Sequence, residues 1–201
     1  MAQIKVMDED LANKIAAGEV VERCFNVVKE LVENSIDANS SSIKISLFDS
    51  GVKKIIVSDN GIGMDPKDAK LAFCRHATSK LTDLDDLFHL SSLGFRGEAL
   101  PSIASVSIVN LKTSKDGVGT ELRLEGGKIA SFSRGDLQEG TIIEVTDLFY
   151  NTPVRLKYLR NLYTELALIV DYVNKMALSY PNINMMLPLP SSGCSRNLSG
   201  G

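Results

Sequence analysis

Two runs of alternating apolar and polar residues constrain the fold of this chain more than any other feature. SIKISLFDS (residues 42–50) and KKIIVSD (residues 53–59) lie on either side of the turn Ser50-Gly51. Alternation with a period of two is typical of half-buried β-strands, and two such runs joined by a short turn predict a hairpin. The preceding stretch, VVKELVENSIDAN (residues 27–39), is an amphipathic helix that we expect to dock on the same core.

The remaining segments continue this mixture of helices and strands. A short helix is predicted within residues 8–24, closed by Gly18, and PKDAKLAFCRHA (residues 66–77) starts another helix at its proline. A polar, glycine-containing segment follows at residues 79–100. Three further strand regions and a long helix come next; they span residues 105–114, 119–135, 140–148 and 155–179. The order of elements indicates an α+β layer sandwich.

Composition excludes several classes of protein. The 201 residues carry a net charge of −3, which argues against a strongly basic nucleic-acid module. The three cysteines are far apart and predict reduced thiols, and the two histidines lack a second ligand at metal-site spacing. No apolar run reaches the roughly 18 residues of a membrane span, and the first residues lack the apolar core of a signal peptide. We therefore expect a cytoplasmic protein without membrane contact.

The helix at residues 27–39 carries an acidic cluster. Glu30, Glu33, Asn34 and Asp37 fall within about a third of the helix circumference at roughly 100° per residue. Like charges at these spacings destabilise a helix by about 0.2–0.5 kcal/mol per pair. The cluster is either an ordinary solvated face or a site that handles water and a hard cation, since carboxylate and amide oxygens suit magnesium.

Three glycine-containing stretches have the chemistry of a nucleotide site. In SDNGIGM, Asp59 ends a strand and could accept a hydrogen bond from an adenine amine, while Gly61 and Gly63 allow close approach; a glycine-rich turn is the alternative. In LGFRGEAL, amides near Gly94 and Gly97 precede a helix and could bind phosphate, or they could simply cap two helices. Thr141 begins a late strand and could add a hydroxyl to a base pocket.

The order of these features resembles the GHKL ATPase superfamily of gyrases, histidine kinases, heat-shock chaperones and MutL. NKIAAGEVVER, KELVENSIDA, RHATSK, LGFRGEAL and DLFYNTPVRLKYL narrow the resemblance to the MutL family of DNA mismatch-repair proteins. These phrases extend from residue 13 to about residue 160. The resemblance implies a two-layer sandwich in which a mixed, mostly antiparallel sheet carries helices on one face.

The resemblance also implies roles for individual residues. Glu30 would be the general base that activates water, and Asn34 would hold the magnesium ion that bridges the triphosphate of ATP. Asp59 would anchor adenine, supported by Gly61, Gly63, Met64 and Thr141. The residues expected to line the lid and phosphate segment are Thr78, Ser79, Lys80, Gly94, Phe95, Arg96, Gly97, Glu98, Ala99 and Leu100. Glu33 and Asp37 would tune the field or bond nearby backbone.

The resemblance further implies a domain organisation and partners. Residues 1–20 would form an N-terminal arm, residues 21–180 the ATPase domain, and residues 181–201 an irregular tail, with the family's second α/β domain not recognisable. ATP hydrolysis, lid closure and dimerisation would couple mismatch recognition to downstream repair factors. Without the second domain, the alternative is a module that binds nucleotide but does not measurably hydrolyse it.

Two single positions and one basic run also bear on the resemblance to the MutL family. Cys24 stands where the family usually has proline, and Asn39 stands at a glycine position, where asparagine tolerates a left-handed backbone. The basic run Arg155, Lys157 and Arg160 is either a solvated face of the last helix or part of a DNA-contacting surface. The acidic composition argues against strong DNA binding by this chain. Weak DNA binding is expected of the full-length protein.

Overall fold

Seven strands form one mixed sheet in a computed structural model of the chain, which describes residues 5, 7–77, 93–94, 97–157, 159 and 161–188. The strands are β1 Ser42–Phe48, β2 Lys54–Asp59, β3 Ile108–Lys115, β4 Val118–Glu125, β5 Lys128–Arg134, β6 Gly140–Thr146 and β7 Asn184–Met186. Their spatial order is β5-β4-β3-β6-β2-β1-β7, and only the β1–β7 pair is parallel. The predicted hairpin and the mostly antiparallel sheet are confirmed.

The helices of the described residues cover one face of this sheet. They are α1 Glu9–Val20, α2 Cys24–Asp37, α3 Pro66–Leu71, α4 Ala99–Ser105, α5 Pro153–Leu156 and α6 Leu162–Ser179. Alternate strand residues point toward α2, α3 and α4 and form the core, whose sheet members include Ile43, Ile45, Ile55, Val57, Val109, Leu111, Leu122, Ile143 and Val145. The opposite face carries polar pairs such as Lys54 with Glu144, at 3.1 Å. This arrangement confirms the predicted two-layer α+β sandwich.

The start of α2 is fixed from two directions. The Asn26 side chain accepts a hydrogen bond from the Arg23 amide at 3.1 Å. Glu165 of α6, which is almost fully buried, accepts a hydrogen bond from the Phe25 amide at 3.4 Å and pairs with Arg23 at 3.3 Å. Burial and the nearby Glu165 raise the pKa of the Cys24 thiol to about 12. Cys24 is a free, buried thiol and therefore a neutral core residue at this helix start.

Two predicted helix limits are wrong. α1 continues past Gly18 to Val20. Gly18 makes room for the Arg155 guanidinium, since a Cβ at this position would lie 1.7 Å from Arg155 Nη2. The long helix predicted from residue 155 is interrupted, and α6 begins at Leu162. There Asn161 caps the helix by accepting hydrogen bonds from the amides of residues 163 and 164 at 3.1 and 3.2 Å. Leu162 is therefore exposed and lies outside the buried stripe that includes Ile169.

The predicted irregular tail is also wrong at its beginning. Residues 184–186 form β7 beside the edge of β1, and the Asn184 amide donates a hydrogen bond to Ser41 O at 2.9 Å. Ile183, Met185 and Leu187 pack partly buried against the core. Edge pairing orders a short strand without a long periodic pattern, so periodicity could not detect it. Residues 189–201 lie outside the described residues.

Two further observations concern the rest of the described chain. Asn39 has a φ of 58°, which confirms the expectation that asparagine takes a left-handed conformation there. None of the helices within the described ranges is long and apolar enough to cross a membrane.

Candidate functional site

The buried face of the sheet ends in a row of polar side chains. Strand register places Asp59 of β2 beside Thr141 of β6, and Thr141 beside Thr113 of β3. Thr113 is fully buried and Thr141 is 7% exposed. The Thr113 hydroxyl lies 3.0 Å from that of Thr141, donates to Gly140 O at 3.2 Å and accepts from the Met64 amide at 2.9 Å. Because Thr113 has only one hydroxyl hydrogen, the Thr141 hydroxyl donates to it.

Asp59 is held by both of its carboxylate oxygens. One oxygen accepts a hydrogen bond from the Gly61 amide at 2.9 Å, and the other accepts from the Ser35 hydroxyl of α2 at 2.8 Å. Burial raises the pKa of Asp59 above its ordinary value of 3.8, and the hydrogen bonds from Gly61, Ser35 and Ser40 only partly offset that effect. An ionised carboxylate has further lone pairs, so Asp59 can still accept a hydrogen bond from a ligand amine.

The glycines after Asp59 are required by close contacts within the protein. A Cβ on Gly61 would lie 2.7 Å from Ala38 O, at the end of α2. Gly63 has a φ of +63°, and its Cβ would lie 1.9 Å from Ser114 O. The sequence hypothesis expected these glycines to make room for a base. Their nearest neighbours in the protein belong to Ala38, Ser40 and Ser114, so these glycines also seat the turn against α2 and β3.

The acidic face of α2 includes a lysine, which reduces the charge repulsion expected from the sequence. Lys29 Nζ lies 3.3 Å from Glu30 Oε1 and 3.1 Å from Glu33 Oε2. Glu33 is only 8% exposed, and its other oxygen accepts from the Tyr172 hydroxyl of α6 at 3.4 Å. Burial raises the pKa of Glu33, although Lys29 opposes this shift. The solvated-face interpretation is therefore wrong for Glu33, while Glu30 and Asn34 remain half-buried.

Asp37 joins α2 to the glycine-containing segment. Its two carboxylate oxygens accept hydrogen bonds from the amides of Leu93 and Gly94 at 3.0 and 3.1 Å. The Gly94 amide, which the sequence hypothesis assigned to phosphate, is bonded to Asp37 in this structure. Asp37 therefore bonds nearby backbone, which was one of the two roles expected of it.

The residues on either side of segment 78–92 contact each other. Glu98 pairs with Arg75 Nη1 at 3.1 Å and with His76 Nδ1 at 2.9 Å. Gly97 has a φ of +63°, and its Cβ would lie 2.6 Å from Ala77 O. Ala99 and Leu100 begin α4. The other predicted residues of this segment lie outside the described residues: Thr78, Ser79, Lys80, Phe95 and Arg96.

The side-chain oxygens on α2 fit a cation that is also bound by substrate phosphates and water. Within the described part of the chain, no three His, Cys, Asp or Glu side chains form a group that could hold a metal. Magnesium is commonly bound by one or two protein oxygens together with substrate phosphates and water. Asn34 supplies one amide oxygen on the same helix face as Glu30, so these residues fit that mode of binding.

A cavity of about 260 Å³ lies away from this polar row and brings together two of the motifs that carry the resemblance. It is lined by Gly18, Glu22, Arg23, Arg155 and Leu159. Arg155 belongs to the short helix α5 and contacts α1, so its interpretation as a solvated residue of the last helix is wrong. Lys157 is exposed, and Arg160 lies outside the described residues.

Sequence reasoning missed four residues of this region: Lys29, Ser35, Thr113 and Tyr172. Thr113 and Ser35 reach the site through strand register and helix docking, which no local motif encodes. Tyr172 lies 139 residues from the Glu33 that it contacts. Lys29 immediately precedes Glu30 and lies four residues before Glu33, and this spacing was the signal that could have identified it.

The comparisons agree with this geometry. Residues 22–152 match the family described as "Histidine kinase-, DNA gyrase B-, and HSP90-like ATPase". Over 93% of its length, the chain is 56% identical to the DNA mismatch repair protein MutL of Bacillus licheniformis, and it spans 30% of that protein. The corresponding values for MutL of Staphylococcus aureus are 54% identity over 93% of this chain and 28% of that protein.

Solved structures show the same fold. The Aquifex aeolicus MutL ATPase domain complexed with ADP has a TM-score of 0.67 and 32% identity, covering 84% of this chain and 60% of that one. The N-terminal domain of a DNA repair protein has a TM-score of 0.74 and 30% identity, covering 88% and 51% respectively.

Proposed function

The chain belongs to the histidine kinase-, DNA gyrase B- and HSP90-like ATPase family, in its MutL group, and from this premise we propose that it binds and hydrolyses magnesium-ATP. Adenine lies at the polar end of the sheet, against Asp59 and Thr141. The triphosphate extends along α2 toward Asn34 and Glu30. The ADP complex of the Aquifex aeolicus MutL ATPase domain supports a nucleotide as the ligand.

The observation that carries this proposal is the fixed carboxylate of Asp59. Both of its oxygens are oriented by the Gly61 amide and the Ser35 hydroxyl, at 2.9 and 2.8 Å. A preoriented, partly desolvated acceptor favours a base that presents an amine, because it loses little freedom on binding. Adenine presents an exocyclic amine, whereas guanine presents a carbonyl at the corresponding position.

The residues that we propose for ATP hydrolysis lie on α2. Glu30 orients a water molecule and takes its proton as the water oxygen attacks the γ-phosphorus, and ADP leaves with the electrons of the broken bond. Asn34 would hold magnesium, which neutralises charge on the phosphates. The half-burial of both residues keeps them accessible to a ligand while limiting the competing contact with bulk water.

The role of the whole protein is a separate proposal. The chain spans about 30% of the length of the curated relatives it matches. In the full-length protein, nucleotide binding would drive dimerisation of two copies and signal from a mismatch-recognition protein to downstream repair factors, with weak DNA binding. Nucleotide capture without measurable hydrolysis by this chain is the second candidate.

Titration of the chain with a labelled non-hydrolysable ATP analogue, with and without magnesium, tests the binding proposal. We expect binding that magnesium strengthens and that the corresponding GTP analogue does not reproduce. Asp136→Asn is the control for charge removal, because the Asp136 side chain is 88% exposed. Absence of binding to the ATP analogue would contradict the proposal. Measuring γ-phosphate release by the chain and by the full-length protein then distinguishes hydrolysis from capture.

A further inference from the structure

A chain of contacts connects α6 to the Glu30 carboxylate. The Tyr172 hydroxyl lies 3.4 Å from Glu33 Oε1, Glu33 Oε2 lies 3.1 Å from Lys29 Nζ, and Lys29 Nζ lies 3.3 Å from Glu30 Oε1. Three of these four side chains belong to α2, and the fourth comes from a helix packed against it. The contacts therefore converge on the residue that the proposed function uses as a base.

Glu33 is the most buried of the three α2 side chains in this series of contacts. It is 8% exposed, and a buried carboxylate requires charged or hydrogen-bonding partners because leaving it unpaired is costly. Its two oxygens have separate partners, Lys29 and Tyr172. Glu30 is more exposed, and its side chain retains 23% of its accessible surface. Glu33 therefore holds Lys29 in place, and Lys29 restrains Glu30.

Tyr172 is itself held in one orientation. Its ring packs edge-on against Phe25, with 5.6 Å between ring centroids and an interplanar angle of 86°. Burial, together with the nearby Glu33, raises the pKa of Tyr172, so its phenol stays protonated and donates a hydrogen bond. The same hydroxyl lies 3.4 Å from the backbone oxygen of Lys29. The single hydroxyl hydrogen of Tyr172 is thus shared between the buried carboxylate and the backbone oxygen of the residue that contacts Glu30.

We propose that Lys29 is a positioning residue for ATP hydrolysis: anchored by Glu33 and Tyr172, it holds Glu30 Oε1 so that Oε2 faces the attacking water and takes its proton. The inference rests on the proposed role of Glu30. A cation beside a base lowers its affinity for a proton, so the benefit of Lys29 is orientation and not basicity. Misplacing a reacting group by about 1 Å can slow a reaction about 10²-fold, which makes such a restraint valuable.

The kinetic test uses Lys29→Met, Lys29→Arg and Tyr172→Phe in the full-length protein, with affinity for the ATP analogue measured separately from single-turnover hydrolysis. Lys29→Met is expected to slow hydrolysis about 10- to 100-fold with affinity nearly unchanged. Lys29→Arg should restore most of the rate, and Tyr172→Phe should slow hydrolysis several-fold. Lys175→Met is the matched control, because Lys175 forms an exposed ion pair with Asp171 on α6.

A second readout does not depend on activity. Thermal unfolding of the nucleotide-free chain is measured for Lys29→Met, Glu33→Gln and the double variant. Because Lys29→Met leaves the buried Glu33 charge without its cation, we expect a loss of several degrees in Tm that is smaller in the Glu33→Gln background. Equal Tm losses in both backgrounds would overturn the proposed anchoring.

The outcomes also distinguish this inference from the proposed function. Glu30→Ala at the parent rate would show that Glu30 is not the base, and the proposed function of α2 would fail first. An inactive Glu30→Ala together with Lys29→Met at the parent rate would overturn the positioning role alone. If Lys29→Met does not fold, Tyr172→Phe decides: an unchanged rate overturns the proposal, and a several-fold loss at unchanged affinity supports it.

Discussion

The two ends of the candidate nucleotide site are built differently. At the adenine end, Thr113 and Thr141 project from neighbouring strands and are buried, and Asp59 is oriented by a backbone amide and a helix hydroxyl. At the phosphate end, Glu30 and Lys29 are half-buried side chains held by ion pairs. The first end is fixed by strand register, whereas the second is held by contacts between side chains. In the proposed function, adenine binding therefore depends on the sheet, and hydrolysis depends on the ion pairs of α2.

This difference separates stability from catalysis. Substitutions at the sheet end should change stability and binding together, because the same residues contribute to both. Substitution of Glu30 on α2, whose side chain retains 23% of its accessible surface, should leave the fold largely intact and change the reaction. Substitutions at both ends test that separation, and the largest effect is expected for Glu30.

Glu30→Ala should abolish most hydrolysis while preserving nucleotide binding. General-base assistance typically contributes about 10²–10⁴-fold to a rate, and a residue that acts only in the transition state adds little to ground-state affinity. The measurement is single-turnover hydrolysis and analogue affinity in the full-length protein. Asn34→Ala provides the contrast, because it should weaken binding more with magnesium than without. Parent-like hydrolysis by Glu30→Ala would remove Glu30 from the mechanism.

Gly63→Ala should be the most destabilising small substitution at the adenine end. The added Cβ would lie 1.9 Å from Ser114 O at a φ of +63°. Left-handed strain costs about 1–2 kcal/mol and overpacking about 1–3 kcal/mol, so we expect a loss of about 2–5 kcal/mol in the free energy of unfolding. Gly117→Ala is the matched control, because Gly117 has a φ of +75° with nothing within 4 Å. Urea unfolding should show a difference of at least about 1 kcal/mol between the two variants.

The sequence predicted the sheet end of the fold well because strand alternation and hairpin turns are local signals. Asp59 and Thr141 could be assigned through the resemblance, and register then placed them side by side. Thr113 could not be assigned, because its role depends on which strand neighbours β6. Likewise, the burial of Glu33 could not be predicted, since helical periodicity does not reveal that Tyr172 contacts it.

Asp59→Asn should weaken binding of the ATP analogue about 10- to 100-fold, because hydrogen bonds to a charged group contribute about 1.5–3 kcal/mol. Its effect on stability should have the opposite sign. The folded-state pKa of Asp59 is raised, so its contribution to stability is greatest below about pH 3.8 and decreases as pH rises through the folded-state pKa. The Tm of Asp59→Asn relative to the parent should therefore increase from about pH 3.5 to about pH 7.

The neutral amide of the Asp59→Asn variant can be accommodated at this position. In this variant the single hydroxyl hydrogen of Ser35 can turn from residue 59 to Leu31 O, which lies 3.0 Å away, so that the Ser35 oxygen accepts a hydrogen bond from the amide group that replaces the carboxylate. Measuring Tm across this pH range, with Asp136→Asn as the exposed control, tests the sign. A relative Tm that falls as pH rises would contradict burial as the dominant influence on the pKa of Asp59. An unchanged affinity and base preference in Asp59→Asn would contradict the role of Asp59 in binding adenine.

Asp37→Asn should have the smallest effect. Its carboxylate accepts hydrogen bonds from two backbone amides, of Leu93 and Gly94. An asparagine side chain offers one acceptor oxygen, and its amide group would face the second N–H, so about one hydrogen bond of roughly 1 kcal/mol is lost. Hydrogen exchange of these two amides should accelerate about five- to tenfold in the nucleotide-free chain.

The effect of Asp37→Asn on nucleotide affinity should be less than about threefold, because freeing the Gly94 amide for a phosphate offsets the loss of its protein partner. Asp68→Asn is the matched control, since Asp68 is an exposed carboxylate on α3. Hydrogen exchange of the Leu93 and Gly94 amides in Asp68→Asn should equal that of the parent. Equal exchange in all three proteins would mean that Asp37 does not hold these amides in solution. The phosphate end would then be more independent of the segment around Gly94 than the structure indicates.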